Sequence, residues 1–351
     1  MIQYNFSNDY SEGAHEAILQ ALLNTNREQT DTYGLDCYSQ LARERIGTLL
    51  ERPESKVHFF TGGTQVNFTF LAAALKPYQG ALCADTGHIN VHESGAVEAT
   101  GHKVLPLPQK DGKVDAATVE AAFAGHYADA TAEHMVQPGA IYISHPTELG
   151  AIYTKAELVA LRKACDKYDA KLYVDGARLG CALTAEGTDV TLKDLAALTH
   201  AFTIGGTKMG ALFGEALVIN DPALDRDFRY ILKQRGAMLA KGRMLGLQFL
   251  TLFTDGLYFE LARHANAQAK RIREGLLQKG VQLLSQSPTN QVFAILERDS
   301  LEALQQQFGF AFWQRVDETH DAVRFCTSWA TPKEAVDALI HAIPTQKAMG
   351  K

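Results

Sequence analysis

The sequence lacks the features of a membrane or nucleic-acid-binding protein. Its longest largely apolar stretch, residues 68–75, falls well short of the ~20 residues that a membrane-spanning helix needs. The formal net charge is −6 and there is no long basic run, which argues against nucleic acid as the main partner. Residues 1–10 have neither the basic nor the apolar region of a secretory signal. We therefore expect a cytoplasmic protein.

Cysteine is also scarce. The five cysteines are scattered, odd in number and without a C-x-x-C pair, at Cys37, Cys83, Cys165, Cys181 and Cys326. This spacing argues against a disulfide framework or a structural zinc site and fits a reducing compartment. We predict no metal site.

Short apolar runs alternate with helical patterns through most of the chain. We predict strands over residues 57–60, 81–84, 103–107, 140–144, 172–175, 201–204 and 214–219. Helices are expected between them, including one from Glu93 and one that opens with the capping box Thr154…Glu157. The alternation predicts an α/β fold with a mostly parallel central sheet flanked by helices.

The pattern changes near residue 245. Long amphipathic stretches over residues 245–277 are followed by two strand candidates, 291–296 and 322–326, around a helix-like segment at 300–308. We predict a large domain over residues 1–245 and a smaller α+β domain over residues 246–351. Ligands of mostly parallel sheets bind beyond the carboxyl ends of the strands.

Three charged residues follow two of the predicted strands. Asp175 and Arg178 come directly after one strand, and Lys208 follows the next, in Gly205-Gly-Thr-Lys208. An amine, a buried carboxylate and a guanidinium are what a pyridoxal 5′-phosphate (PLP) enzyme needs. The alternatives are a solvated lysine at 208 and an ordinary Asp-Gly turn at 175.

Four further residues are site candidates with structural alternatives. Gly63 and Thr64, at a strand-to-helix turn, would bind phosphate or form a plain tight turn. His88 would act as acid or base beside a cofactor ring, or would cap a helix. Arg324, in an apolar strand, would bind a substrate carboxylate or face water at a sheet edge.

Together these residues resemble the threonine aldolase and β-eliminating lyase family of fold-type I PLP enzymes, over nearly the whole chain. Asp175-Gly-Ala-Arg178 is similar to the family's L-D-G-A-R signature, and Gly205-Gly-Thr-Lys208 to its cofactor-lysine segment. Thr61-Gly-Gly-Thr-Gln-Val-Asn67 resembles the phosphate loop, and Gly87-His-Ile-Asn-Val-His-Glu-Ser-Gly-Ala96 the H-I-x-x-x-E-x-G element. Asn8-Asp-Tyr10 and Tyr33-Gly-Leu-Asp36 resemble the S-D-T and Y-G-x-D elements.

The resemblance implies a role for each candidate. Lys208 would bind PLP covalently, Asp175 would pair with the pyridine nitrogen, and His88 would stack on the ring. The phosphate would be held by Gly63, Thr64 and Thr207, and the substrate would be bound by Asn8, Tyr33, Arg178 and Arg324. The family also implies a homo-oligomer, dimer or tetramer, in which the neighbouring subunit completes each site.

The sequence departs from the family pattern at three places. Thr147-Glu148-Leu149 stands where the family often has T-H-N, so Glu148 would replace a histidine as the base near the substrate hydroxyl. Asn8 stands at the serine of S-D-T, with Ser7 beside it. Residues 236–240 replace the family's G-G-M-R-Q segment, where Arg235 and Lys241 are candidate substitutes.

The resemblance implies cleavage of a β-hydroxy-α-amino acid, such as L-threonine or L-allo-threonine, to glycine and an aldehyde. The first alternative is a β-eliminating amino-acid lyase that releases ammonia and a keto acid. The second is a non-catalytic protein of the same fold.

Overall fold

A computed structural model describes residues 4–346 of the chain. The strands are β1 (Tyr4–Asn5), β2 (Lys56–Phe60), β3 (Gln79–Ala84), β4 (Val104–Leu107), β5 (Gln137–Ser144), β6 (Lys171–Asp175), β7 (Ala201–Gly205), β8 (Glu215–Ile219), β9 (Gln282–Leu283), β10 (Gln291–Glu297), β11 (Phe308–Gly309), β12 (Ala311–Arg315) and β13 (His320–Cys326).

The helices are α1 (Glu16–Thr25), α2 (Cys37–Leu50), α3 (Gly63–Ala74), α4 (His88–Val91), α5 (Ala116–Ala128), α6 (Lys155–Lys167), α7 (Leu179–Leu183), α8 (Leu192–Leu198), α9 (Pro222–Asp225), α10 (Phe228–Gln234), α11 (Arg243–Leu252), α12 (Leu257–Gln278), α13 (Arg298–Gln305) and α14 (Lys333–Ala342). Within the described range, none of these helices is both long and apolar enough to cross a bilayer.

The central sheet has seven strands in the order β2-β8-β7-β6-β5-β3-β4. Strand β8 is antiparallel to both of its neighbours, and the other pairs are parallel. This confirms the predicted α/β fold with a mostly parallel sheet. Because β5, β6 and β7 are parallel, their carboxyl ends meet at one edge, where Ser144 pairs with Asp175.

Helices cover both faces of this sheet. Every residue of β7 and β8 is buried, as expected for central strands that pack against helices on two sides. One apolar cluster lies between the sheet and helices that include α2, α6, α8 and α11, and a second lies under α3 and α10. The capping box at Thr154 is present at the start of α6, as the sequence predicted.

The second sheet is antiparallel, in the order β12-β13-β10-β9, and packs against α12 and α14. Strand β1 pairs with β11, so the N-terminal segment contacts the C-terminal part of the chain. Strand β12 was not predicted, and the predicted helix at 300–308 begins earlier, at Arg298. The predicted domain boundary between residues 245 and 246 falls inside α11 and stays a prediction.

The helix predicted from Glu93 is wrong. Helix α4 begins at His88 and ends at Val91, and the chain then turns through Ser94 and Gly95, both with positive φ. An α-helix cannot continue through that conformation. The turn leaves the Glu93 side chain free to bond back to His88.

Candidate active site

A cavity of about 310 Å³ opens at the carboxyl edge of the central sheet. An adjoining cavity of about 600 Å³ extends it toward the small antiparallel sheet. Most of the sequence-derived candidates line these two cavities: Gly63, Thr64, His88, Glu148, Asp175, Arg178, Thr207, Lys208 and Arg324. The fold therefore brings together residues from six separate segments at the edge that the strand topology predicts.

Lys208 lies in the turn between β7 and β8, and its side chain lines both cavities. Its Nζ makes no ion pair within 4 Å of a described carboxylate and lies 5.8 Å from the ring centre of Tyr10. Burial and the nearby Arg178 lower its pKa, against the opposing charges of Asp9 and Glu215. A lysine with a lowered pKa is more often a neutral amine, the form that attacks an aldehyde.

Asp175, the last residue of β6, is held by a set of hydrogen bonds. Its Oδ2 accepts from Tyr142 Oη at 2.6 Å and from Asn67 Nδ2 at 2.9 Å, and its Oδ1 accepts from the Ala177 backbone at 2.9 Å. Burial acts to raise the pKa of this carboxyl, but the charge of His88 and these hydrogen bonds outweigh it and lower the pKa. Asp175 is therefore a fixed buried anion.

The first turn of α3 provides unpaired backbone donors. The N-cap, Gly62, provides no side-chain cap, and the first N–H groups of the helix, which have no intrahelical acceptor, belong to residues that line the cavity. A Cβ placed on Gly62 or Gly63 would meet nothing within 4 Å, so open space lies beside this backbone. Thr207 lies across the cavity, where its Oγ1 accepts from Gly214 N at 3.0 Å. The arrangement suits an anion such as a phosphate.

His88 forms a pair with Glu93, whose side chain is buried. Glu93 Oε1 accepts from His88 Nδ1 at 2.8 Å and from Asn67 Nδ2 at 2.7 Å. With Nδ1 donating to a carboxylate, His88 Nε2 is left to take up a proton. Asn67 thus joins the His88–Glu93 pair to Asp175.

Glu148 lies beside His88 in the cavity wall. Its Oε1 accepts from Ser144 Oγ at 2.6 Å and from the His88 backbone N–H at 3.0 Å. Burial raises the pKa of this carboxyl, against the hydrogen bond from Ser144. A carboxylate with a raised pKa is a stronger base than an ordinary one.

The two arginines differ in their partners: Arg178 is paired with a carboxylate, whereas Arg324 is bonded to neutral oxygens. Arg178 donates from Nε and Nη2 to Asp9, at 2.6 Å and 3.0 Å. Arg324 donates from Nη1 to Gln291 Oε1 at 3.2 Å and from Nη2 to the Ser7 carbonyl at 3.0 Å. The buried Arg324 Nε has no partner among the described residues.

Two candidates do not line the cavities. Asn8 Oδ1 accepts from Tyr10 N and Ser11 Oγ, both at 3.0 Å, and so shapes the turn that carries Tyr10 to the cavity. Tyr33 lies elsewhere, 41% exposed, with Lys233 Nζ 4.7 Å from its ring centre. A substrate contact by Tyr33 therefore requires the site of another subunit and stays a prediction.

Sequence reasoning missed four residues that shape the site. Asp9 and Glu93 lie inside the quoted motifs but were given no role, although a charged residue next to a candidate site is a usable signal. Tyr142 and Glu215 gave no signal, because one lies in the middle of an apolar strand and the other begins one.

Comparisons with known proteins agree with this geometry. The profile of the family described as "Beta-eliminating lyase" matches residues 7–299. A low specificity L-threonine aldolase of Pseudomonas aeruginosa is 30% identical over 341 residues, which are 96% of each chain. The corresponding Saccharomyces cerevisiae protein is 26% identical over 68% of this chain and 61% of its own.

Comparison with solved structures points to the same group of proteins. The threonine aldolase of Leishmania major superposes with a TM-score of 0.94 at 42% identity, over 97% of this chain and 98% of its own. An aspartate aminotransferase of Thermus thermophilus shares the fold alone, with a TM-score of 0.69 at 15% identity over 97% and 90% of the two chains. The fold is therefore that of fold type I, and the chain belongs to the β-eliminating lyase family.

Proposed function

We propose that the protein uses PLP to cleave a β-hydroxy-α-amino acid, L-threonine or L-allo-threonine, to glycine and an aldehyde. The observation that carries this proposal is the Lys208 amine, which has no ion-pair partner among the described residues and shares one cavity with the buried Asp175 anion. The L-threonine aldolases similar to this chain support the choice of substrate.

The residues of the cavity fit PLP. Lys208 offers a free amine for the aldehyde, and Asp175 offers a buried anion for the ring nitrogen. Gly63, Thr64 and Thr207 would hold the phosphate, beside open space and unpaired N–H groups. When bound, PLP supplies an aldehyde for the substrate amine and a ring that accepts electrons from the bonds at Cα.

Asp175 and Lys208 contribute to this chemistry through their protonation states. Asp175 stays ionised because Tyr142 and Asn67 donate to it, and an anion at this point holds a proton on the ring nitrogen. Lys208, with its lowered pKa, supplies a neutral amine at lower pH than an exposed lysine does. His88 would stack on the ring.

The base that takes the β-hydroxyl proton is His88 or Glu148. His88 has Nε2 available because Glu93 holds Nδ1. Glu148 has a pKa raised by burial, which makes it a stronger base than an exposed carboxylate. The two side chains line the same part of the cavity.

The arginines orient the substrate carboxylate. Arg324 carries the larger share, because it bonds only to neutral oxygens and its charge has no carboxylate partner among the described residues. Arg178 contributes less, since its charge is already paired with Asp9. A planar guanidinium fixes a carboxylate in one orientation, which positions the Cα–Cβ bond for cleavage.

We also propose a cytoplasmic homo-oligomer, a dimer or tetramer whose neighbouring subunits complete each site with Tyr33. Exposed apolar side chains in the N-terminal part of the chain support this, with Leu23 70% and Leu35 62% exposed. Such exposure is typical of surfaces that are covered in an assembly. Light scattering on the purified full chain tests it, and a monomer at micromolar concentration would contradict it.

The product profile tests the proposed reaction. Purified protein with PLP is given threonine, allo-threonine, serine and phenylserine, and glycine, aldehyde, ammonia and keto acid are measured. Glycine and aldehyde in equal amounts support aldol cleavage. The family description "Beta-eliminating lyase" favours elimination as the second candidate, and ammonia with keto acid as main products would establish that instead. No product from any substrate would favour a non-catalytic role.

A further inference from the structure

Glu215 lies between the two loops that are proposed to hold the phosphate. It is the first residue of β8, and it pairs with Phe60 at the end of β2 and with Gly205 at the end of β7. The chain leaves Phe60 into residues 61–64 and leaves Gly205 into residues 206–208, and both loops line the cavity. The Glu215 side chain lines it too.

This side chain is buried and incompletely bonded. Glu215 is 5% exposed, and its Oε2 has no hydrogen-bond partner among the described residues. The Thr207 hydroxyl and the Gly206 backbone N–H interact with this carboxyl group, but neither is bonded to Oε2. An ionised carboxylate next to a phosphate dianion would repel it, whereas a carboxylic acid would donate to it.

We propose that Glu215 carries a proton at neutral pH and donates a hydrogen bond from Oε2 to the phosphate of bound PLP. This inference rests on the proposed function, because it requires PLP in the cavity. It gives Glu215 a binding role in this site and makes phosphate affinity depend on one buried proton.

The groups around Glu215 are consistent with a proton there. Burial raises its pKa to about 8; Lys208 and the hydrogen bonds from Thr207 and the Gly206 backbone act to lower this value, and Asp175, at the end of β6, acts to raise it. The phenols of Tyr173 and Tyr258 face the same region and stay neutral, since burial raises their pKa values. Helix α3 contributes no titratable side chain. A bound phosphate dianion would raise the Glu215 pKa further.

The test compares the full-length wild-type protein with its Glu215→Gln variant, both freed of PLP. Glutamine has the same size and is a permanent donor, so its binding does not depend on a titrating proton. The probe is methyl phosphate, a monoester that is dianionic throughout the range because its second pKa is about 6. Calorimetry measures its Kd at about pH 7 and about pH 9.5. Lys208 titrates too, and its pKa depends on the charge of Glu215. Both proteins are therefore also measured in a Lys208→Ala background, where the difference isolates Glu215.

We expect the affinity of the wild type for methyl phosphate to fall at least about tenfold over this range, because a hydrogen bond to a charged group is worth roughly a factor of ten. The affinity of Glu215→Gln should change less than about threefold, because its donor does not titrate. Glu302→Gln, at an exposed position on α13, should behave as wild type. An infrared difference spectrum of wild type against Glu215→Gln at about pH 7 should show the carbonyl band of a protonated carboxyl group.

Two results would overturn the inference: equal pH dependence in wild type and Glu215→Gln, or absence of that infrared band. Borohydride reduction with PLP, followed by mass spectrometry of the Lys208 peptide, separates the two proposals. Capture of PLP with equal pH dependence contradicts only the role of Glu215. Absence of capture contradicts the proposed function, and the inference with it.

Discussion

Arg178 donates two hydrogen bonds to Asp9, from Nε to Oδ2 at 2.6 Å and from Nη2 to Oδ1 at 3.0 Å. Asp9 is fully buried and also accepts from Asn290 Nδ2 at 2.8 Å. Burial acts to raise the pKa of Asp9, but Arg178 and Lys208 outweigh it and lower the pKa to about 2. This ion pair joins the N-terminal segment to the turn after β6 and places a buried charge beside the candidate cofactor lysine.

Asp9→Asn should destabilise the protein by about 3–5 kcal/mol, because it leaves Arg178 buried without a counter-ion. Denaturant unfolding measures the loss, with Asp31→Asn at an exposed position as control. Since the folded pKa of Asp9 is lowered, its contribution is present above the ordinary pKa of 3.8 and is lost as pH falls toward about 2. Equal stability of the two variants would show that the ion pair contributes nothing.

Asp175→Asn should lower kcat at least about 10²-fold, the scale expected for loss of a group that holds a proton in place. An amide of the same size keeps the packing but not the charge that Tyr142 and Asn67 stabilise. Tyr142→Phe is the matched control, because removing one donor should cost less than about tenfold. Similar rates for wild type and Asp175→Asn, with PLP bound in both, would remove Asp175 from its assigned role.

Glu148 should govern the acid limb of the pH–rate profile. As a base, Glu148 must be ionised. Because burial raises its pKa, activity should be lost on acidification at a higher pH than the pKa of an ordinary carboxyl group, which is 4.5. Glu148→Gln should lose this limb and most of the activity, and Glu148→His should recover part of the rate. If Glu148→Gln keeps both the rate and the limb, His88 is the base.

Arg324→Lys should raise KM for threonine by about 10- to 100-fold with a smaller change in kcat, because an ammonium group cannot bind a carboxylate through two parallel hydrogen bonds. Steady-state kinetics over a range of threonine concentrations measure both constants. Arg315→Lys, on the adjacent strand β12 and 64% exposed, is the control. A KM that changes equally in the two variants would argue against carboxylate binding by Arg324.

The sequence predicted the large sheet well because its strands are short and mostly apolar, and most of them are separated by helices. The rule that parallel strands end at one edge then placed Asp175 and Lys208 together. The local sequence pattern gave wrong or missing elements where the backbone conformation or the polarity of a strand decided the structure. The positive φ at Ser94 prevents the helix that was predicted to begin at Glu93, and β12 carries too many polar residues to stand out as a strand.

The less predictable part of the site is its long-range pairing. Nothing near Asp9 indicates that its partner lies 169 residues away, or that Asn290 completes the contact. Glu215 begins an apolar strand, and its position between two loops follows only from the pairing of β8 with β2 and β7. Such contacts depend on the order of the strands in the whole sheet, and the sequence of a single strand does not reveal that order.

The most direct test is the identity of the residue that captures PLP. The full-length protein is mixed with PLP, reduced with borohydride, digested and mapped by mass spectrometry, in parallel with Lys208→Ala and Lys233→Ala. We expect a single pyridoxyl group on Lys208 in the wild type and in Lys233→Ala, and none in Lys208→Ala, which should also release no aldehyde from threonine. A pyridoxyl group on another lysine, or aldehyde release by Lys208→Ala at the wild-type rate, would contradict the account.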